Sequence, residues 1–227
     1  TMKYEGYVTT LITDFAIEAL KKFDQEKPFC LLYFHKAPHR NWMPDSKYLT
    51  MYDGVDIPMP ETFFDDYQTR SDAARQQDME VINLYNSTDM KIHSTGKEEK
   101  YSGGNEAFRM NAPENWRRLY NSLTDEQRQA WDTAYEPKNR AFLDANLSGV
   151  ELAKWKYQRY IKDYLRCVAS VDDNIGRLLN YLDENGLTEN TVVIYTSDQG
   201  FYLGEHGWYD KRFMYEESLG MPLIIRY

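Results

Sequence analysis

Residues 191–222 read TVVIYTSDQGFYLGEHGWYDKRFMYEESLGMP, and the fold class follows from this stretch. Thr191-Val192-Val193-Ile194-Tyr195 is a β-branched run of the kind that fills a buried strand. It ends at Ser197-Asp198-Gln199-Gly200. In α/β sheets, ligands gather beyond the carboxyl ends of the strands. A carboxylate and an amide oxygen side by side at such a tip, Asp198 and Gln199, are hard donors suited to calcium or magnesium. A Gly-rich loop with Glu205-His206-Gly207 follows, then Asp210-Lys211-Arg212, whose two cations are placed to meet an anion. Pro222 closes the unit, and Leu223-Ile224-Ile225 starts a second apolar run. Oxygen donors, loop, cations and strand in one short unit suit an oxyanion ester.

Upstream, residues 151–185 form the longest periodic segment. Trp155, Tyr160, Ile161, Tyr164, Leu165, Val168, Ile175, Leu178, Leu179 and Leu182 make one apolar helical stripe, and Gly186 is a left-handed stop. A helix delivered into a strand in this way is the logic of a parallel α/β sheet. Residues 29–34, Phe-Cys-Leu-Leu-Tyr-Phe, read as another strand, central and buried on both faces. Before it, residues 7–23 read as an amphipathic core helix through Val8, Leu11, Ile12, Phe15, Ala19, Leu20 and Phe23, with Thr9 or Thr10 as cap. After it, polar residues crowd the strand's end in His35-Lys36-Ala37-Pro38-His39-Arg40-Asn41-Trp42. An imidazole there can give a proton to a leaving alcohol near neutral pH. The alternative for His39 is a strand-end histidine bonded to backbone.

Composition narrows the function classes. The 227 residues are 42% hydrophobic and 15% aromatic, which suits a packed domain. The net charge of −9 argues against nucleic acid as a partner and requires that cations for an anionic substrate be concentrated locally. No apolar stretch approaches the roughly 20 residues of a membrane span, and no signal peptide is visible. The two cysteines, Cys30 and Cys167, fall in apolar segments and read as free buried thiols.

Ser197-Asp198-Gln199-Gly200, Leu203-Gly204-Glu205-His206-Gly207, Lys211, Tyr215-Glu216 and Pro222-Leu223-Ile224, in this order and spacing, resemble the late motif of the sulfatases of the alkaline-phosphatase superfamily. The likeness is strongest to the branch that includes bacterial N-acetylglucosamine-6-sulfatases, where the Gln of S-D-Q-G also occurs. It extends over residues 3–92 and 151–227 and is thin between. The resemblance implies part of an alkaline-phosphatase-like α/β sandwich, with a mostly parallel central sheet flanked by helices and a helical insert. It implies a sulfuric ester hydrolase acting on sulfated glycans, here a 6-O-sulfated amino sugar, in the periplasm or outside the cell. Asp198 and Gln199 match metal ligands, for Ca2+ or alternatively Mg2+. Lys211 matches the lysine that bonds the sulfate, and His39 matches a histidine that contacts the ester from the other side. His206 and Arg212 are substrate-binding candidates, and His206 could instead only order its loop.

The nucleophile of that family is a formylglycine made from Cys or Ser in C/S-x-[PA]-x-R. Ser71-Asp72-Ala73-Ala74-Arg75 fits the pattern literally, but it lies after the His39 motif and looks helical. Cys167 lacks the Arg. Both read as structural, so no nucleophile is expected within these residues and the chain is expected to be an inactive piece of a longer enzyme. Asp65-Asp66 reads as an acidic loop facing water. The chain is expected to divide at 1–92, 93–150 and 151–227: catalytic-domain parts around a loop at 93–112 and a helical insert over the active-site mouth. In that insert Pro113 is expected at a helix start and Thr124 with Gln127 as a capping box. Two competing functions are a non-catalytic binder of sulfated glycan and a phosphodiesterase or phosphonate hydrolase of the same superfamily.

Overall fold

The computed structural model describes residues 4–24, 26–92 and 106–227, with backbone alone for 106–113. Its elements are α1 (Val8–Lys22), α2 (Asp72–Arg75), α3 (Glu106–Asn121), α4 (Asp125–Ala145), α5 (Gly149–Glu184), β1 (Val193–Thr196), β2 (Tyr202–Leu203), β3 (Tyr209–Asp210), α6 (Glu216–Leu219) and β4 (Leu223–Arg226).

Helix α5 is the spine. Trp42, Phe63, Val81, Leu84 and Tyr209 gather on Tyr157, Tyr160 and Ile161 of this helix. It ends as expected. Gly186 takes φ +65°, its N–H reaches the Asp183 carbonyl at 3.2 Å, and the Leu187 N–H reaches Leu182 at 2.9 Å. This double closure satisfies carbonyls that the helix end would otherwise leave orphaned. Helix α4 begins with the expected capping box: the Gln127 N–H donates to Thr124 Oγ1 at 3.2 Å and the Thr124 N–H to Gln127 Oε1 at 2.9 Å. Helices α3 and α4 pack through Trp116, Trp131 and Tyr135, and Leu49 seals that cluster.

Charge is buried between α4 and α5. Asp163 accepts from Lys91 Nζ at 2.8 Å and from Arg166 Nη1 at 2.8 Å, and Tyr135 donates to the same carboxylate. Arg166 also reaches Asp53 at 2.6 Å and the Met51 carbonyl at 2.8 Å. Asn139 of α4 joins the Lys91 carbonyl to Arg159. Burial pushes the Asp163 carboxyl up, but Lys91, Arg159 and Arg166 outweigh that and lower it.

Several expectations are corrected. Helix α1 does not bury its large apolar stripe. Its buried residues are Thr9, Thr13, Ala16 and Leu20, whereas Val8 and Phe15 are exposed. The small face lets α1 approach α5, and Thr13 Oγ1 satisfies itself on the Thr9 carbonyl at 2.9 Å and Tyr33 Oη at 2.6 Å. The cap position is Tyr7, with no side-chain cap. Residues 29–34 pair with no strand, and Cys30 is exposed, so only Cys167 is a buried thiol. Strand β1 pairs antiparallel with β4, Ile194 opposite Ile225 and Tyr195 opposite Ile224. The other pair, β2 with β3, is antiparallel too, so among the described residues no parallel pair forms. The chain between β1 and β4 is taken up by the β2–β3 pair and the short α6, with no long crossover helix of the kind that usually joins parallel strands. Helix α3 starts at Glu106 and continues through Pro113, so the helix begins earlier than Pro113 suggests. The first part of the expected 93–112 loop, residues 93–105, lies outside the described residues.

Candidate active site

The strand tip is set by Gly200. Its N–H donates to the Ser218 carbonyl at 2.9 Å. A Cβ there would sit 2.2 Å from the Glu217 carbonyl oxygen, so only glycine lets α6 close under the tip. Asp198 is exposed and Gln199 half-buried beside it. The nearest partner of the Asp198 carboxylate is the Ser197 hydroxyl at 3.4 Å, and no cation among the described residues claims it. Two hard oxygen donors at the end of a strand fit Ca2+ in kind. They are short of the roughly six to eight oxygens of a calcium shell, and no group of three or more His, Cys, Asp or Glu side chains that could hold a metal occurs among the described residues.

The following loop is anchored by aromatic packing. Tyr202 and Trp208 are fully buried with Tyr67, Ala74 and Met79. The Tyr160 hydroxyl donates to the Tyr202 carbonyl at 2.7 Å, tying the loop to α5. His206 is buried within this loop. Its Nδ1 bonds Asp65 Oδ2 at 2.9 Å, its N–H donates to Thr62 Oγ1 at 3.1 Å, and its carbonyl accepts from Tyr67 Oη. Its Nε2 lies 3.9 Å from Glu217. The surroundings of His206 are therefore those of a residue that orders the loop. Asp65 is the corresponding surprise: it does not face water as expected. Burial pushes its carboxyl up, but the Tyr67 N–H, His206 and Arg70 outweigh that and bring it down to about 2. No sequence signal joins positions 141 residues apart.

Four cations sit near this loop, and three are taken. Arg70 pairs with Asp65 at 3.0 Å. Arg212 pairs with Asp210 at 3.0 Å, on the strand that precedes it. Arg40 is fixed on Asp89 at 2.5 Å. Lys211 is half-buried, with its Nζ 5.9 Å from the centre of the Phe201 ring, and has no carboxylate partner among the described residues. A partly buried ammonium with no carboxylate beside it among the described residues is a place for an anion. His39 is exposed, and its Nδ1 lies 2.8 Å from the Arg40 carbonyl. That acceptor makes Nδ1 the donor and leaves Nε2 as the working nitrogen. Burial lowers His35, whose ring meets Tyr33 edge-on at 4.4 Å. No hydrogen bond or ion pair among the described residues joins His39 or Lys211 to Asp198 or Gln199. Ser71-Asp72-Ala73-Ala74-Arg75 forms the short helix α2, with Arg75 on Asp72.

A sulfatase family model matches residues 1–227. The chain belongs to the sulfatase family. It is 47% identical over 224 residues to an N-acetylglucosamine-6-O-sulfatase of Bacteroides thetaiotaomicron, covering 98% of this chain and 38% of that protein. A human iduronate 2-sulfatase is 39% identical over 69 residues, 30% of this chain and 12% of its own length. A solved structure described as in complex with its substrate, D-glucosamine-2-N,6-O-disulfate, superposes with a TM-score of 0.89 at 45% identity, covering 100% of this chain and 44% of that one. The fold is thus the alkaline-phosphatase-like sulfatase fold, of which this chain spans less than half the relatives' length.

Proposed function

We propose that the protein carrying this chain hydrolyses the 6-O-sulfate ester of an amino sugar within sulfated glycans. The observation that carries this reading is Lys211, which has no carboxylate partner among the described residues and faces the ring of Phe201, the residue after the S-D-Q-G tip. The similarity to an N-acetylglucosamine-6-O-sulfatase and to a protein bound to a 6-O-sulfated glucosamine supports the choice of sugar.

Lys211 offers three donors on a compact charge, which suits sulfate oxygens and the charge that grows on the leaving oxygen. His39, with Nδ1 committed to the Arg40 carbonyl, would protonate the leaving alcohol from Nε2 as the imidazolium. Asp198 and Gln199 would hold a Ca2+ supplying positive charge to the non-bridging oxygens, while a formylglycine outside these residues supplies the nucleophile. Two donors being too few for a calcium shell, the 227 residues alone are proposed to be inactive. The mostly parallel central sheet belongs to the same proposal. The apolar strands β1 and β4 and residues 29–34 carry exposed faces that further strands and helices of a longer protein would cover. A periplasmic or extracellular location is proposed on family membership alone. Among the described residues no helix is long and apolar enough to cross a membrane.

The test is Lys211→Ala in the full-length protein, read as sulfate released from glucosamine 6-sulfate. The expected loss in kcat/KM is about 100-fold or more, the scale of removing one preorganised donor from a developing charge. Undiminished turnover by a folded variant sinks the reading.

A further inference from the structure

Arg40 follows the candidate acid His39, and nothing in the reaction described above employs its side chain. The guanidinium is spent inside the protein. Nε donates to Asp89 Oδ1 at 2.7 Å and Nη2 to Oδ2 at 2.5 Å. Asp89 is fully buried and is itself fixed, accepting the Tyr85 N–H at 2.8 Å. The next residue, Asn41, donates from Nδ2 to the Thr88 carbonyl at 2.8 Å. Two consecutive side chains thus clamp the backbone after His39 onto the 85–89 turn. That backbone includes the Arg40 carbonyl on which the His39 ring rests.

The same guanidinium also meets the strand that precedes Lys211. It lies 5.6 Å from the Tyr85 ring centre and 5.1 Å from that of Tyr209. Tyr209 is buried, its N–H bonds the Met79 carbonyl at 2.9 Å, and it precedes Lys211 by two residues. Arg40 is therefore the physical joint between the segment with His39 and the strand leading to Lys211. Burial works against its charge, and Asp89 more than restores it. A planar fork can bind a carboxylate bidentately and present its face to a ring at once; a lysine can do neither as well.

We propose that Arg40 is a positioning residue for sulfate-ester cleavage, holding the His39 imidazole in register with the strand that carries Lys211. This rests on the function proposed above, since it has meaning only if His39 acts on the ester.

The experiment is a double-mutant cycle in the full-length enzyme: wild type, Arg40→Lys, His39→Ala and the double variant. Each is assayed for kcat and KM separately on a 6-O-sulfated glucosamine, with thermal midpoints alongside. A misplaced catalytic group costs up to about 100-fold, so Arg40→Lys should lower kcat by about 30-fold with KM within about threefold. In the His39→Ala background the same change should alter kcat by less than about threefold, because the group it positions is gone. The loss should also shrink on an aryl sulfate, whose leaving phenoxide needs little protonation. Equal losses in both backgrounds, or an equal loss on the aryl sulfate, overturn the proposal. If Arg40→Lys does not fold, Asp89→Asn is taken through the same cycle with the same expectations. Full activity in His39→Ala would remove the underlying functional reading. A His39 effect with an additive Arg40 effect would remove the positioning role alone.

Discussion

The helical side of the chain buries charge while the strand side exposes hydrocarbon. Lys91, Asp163 and Arg166 are at most 2% exposed around α4 and α5, whereas Ile194 and Leu223 of β1 and β4, and Leu32 and Phe34 of the unpaired segment 29–34, are at least 60% exposed. Polarity alone would have put these groups the other way round. The difference lies in partners. Asp163 has three donors converging on it, which offsets desolvation. Ile194 has one cross-strand neighbour, Ile225, and nothing over it. The helices and the β2–β3 pair carry their partners within the described residues, whereas β1 and β4 expose their apolar side chains.

Removing one partner from the buried cluster should have the largest effect. Asp163→Ala leaves Lys91 and Arg166 buried without their shared carboxylate, and should cost about 3–5 kcal/mol in urea unfolding. A cost below about 1 kcal/mol would mean that the cluster is wet or rearranged.

A smaller effect is expected at Asp65, on the border between the two sides. Its carboxyl is held down at about 2 in the folded protein, against roughly 3.9 unfolded. The sign follows from proton binding: on acidification the unfolded chain takes up this proton first. The contribution is fully present above about pH 4 and is lost as pH falls toward about 2. Asp65→Asn should therefore flatten the stability–pH profile in that window and leave its shape unchanged near neutrality. An unaltered acid limb would show that the Tyr67 N–H, His206 and Arg70 do not hold the carboxyl down as their contacts imply.

The smallest effect, and the sharpest test of the contrast, lies on the ribbon. Ile225→Thr should change the stability of the 227-residue chain by less than about 0.5 kcal/mol, as at other exposed sites. In the longer protein the same change should cost about 1–3 kcal/mol, if further elements cover the ribbon. Equal effects in the two settings would remove the idea that these strands are written for a larger sheet. Light scattering of the short chain adds a second reading, since an exposed apolar edge favours association.

Much of the fold was legible because it rests on local rules. The long α5 helix, the Gly186 stop, the Thr124–Gln127 box and the helical turn at 72–75 each depend on residues within a few positions of one another. The candidate site could be named from the sequence for the same reason: Asp198, Gln199 and Lys211 lie in one stretch with a specific order. The expected α5 stripe holds only in part: Tyr160, Ile161 and Leu182 are buried, but Val168 is exposed and the buried face also carries Lys156, Arg159, Asp163 and Arg166. Helix α1 shows where locality fails. Its periodicity marked a helix, but the Thr9–Thr13–Ala16 face was buried because α5 and Tyr33 approach that side.

By itself the sequence determined where α4 begins and α5 stops, which residue types stand at the S-D-Q-G tip and which family the chain resembles. These depend on backbone propensity, capping and motif order, all readable along one dimension. Tertiary structure alone decided which cations near the loop are taken by carboxylates among the described residues. Arg40 was claimed by Asp89, 49 residues away, and His206 by Asp65, 141 residues away, while Lys211 was left on an aromatic ring. The reason is physical: charge pairing depends on distance through space, and the chain brings those groups together only after its helices have packed.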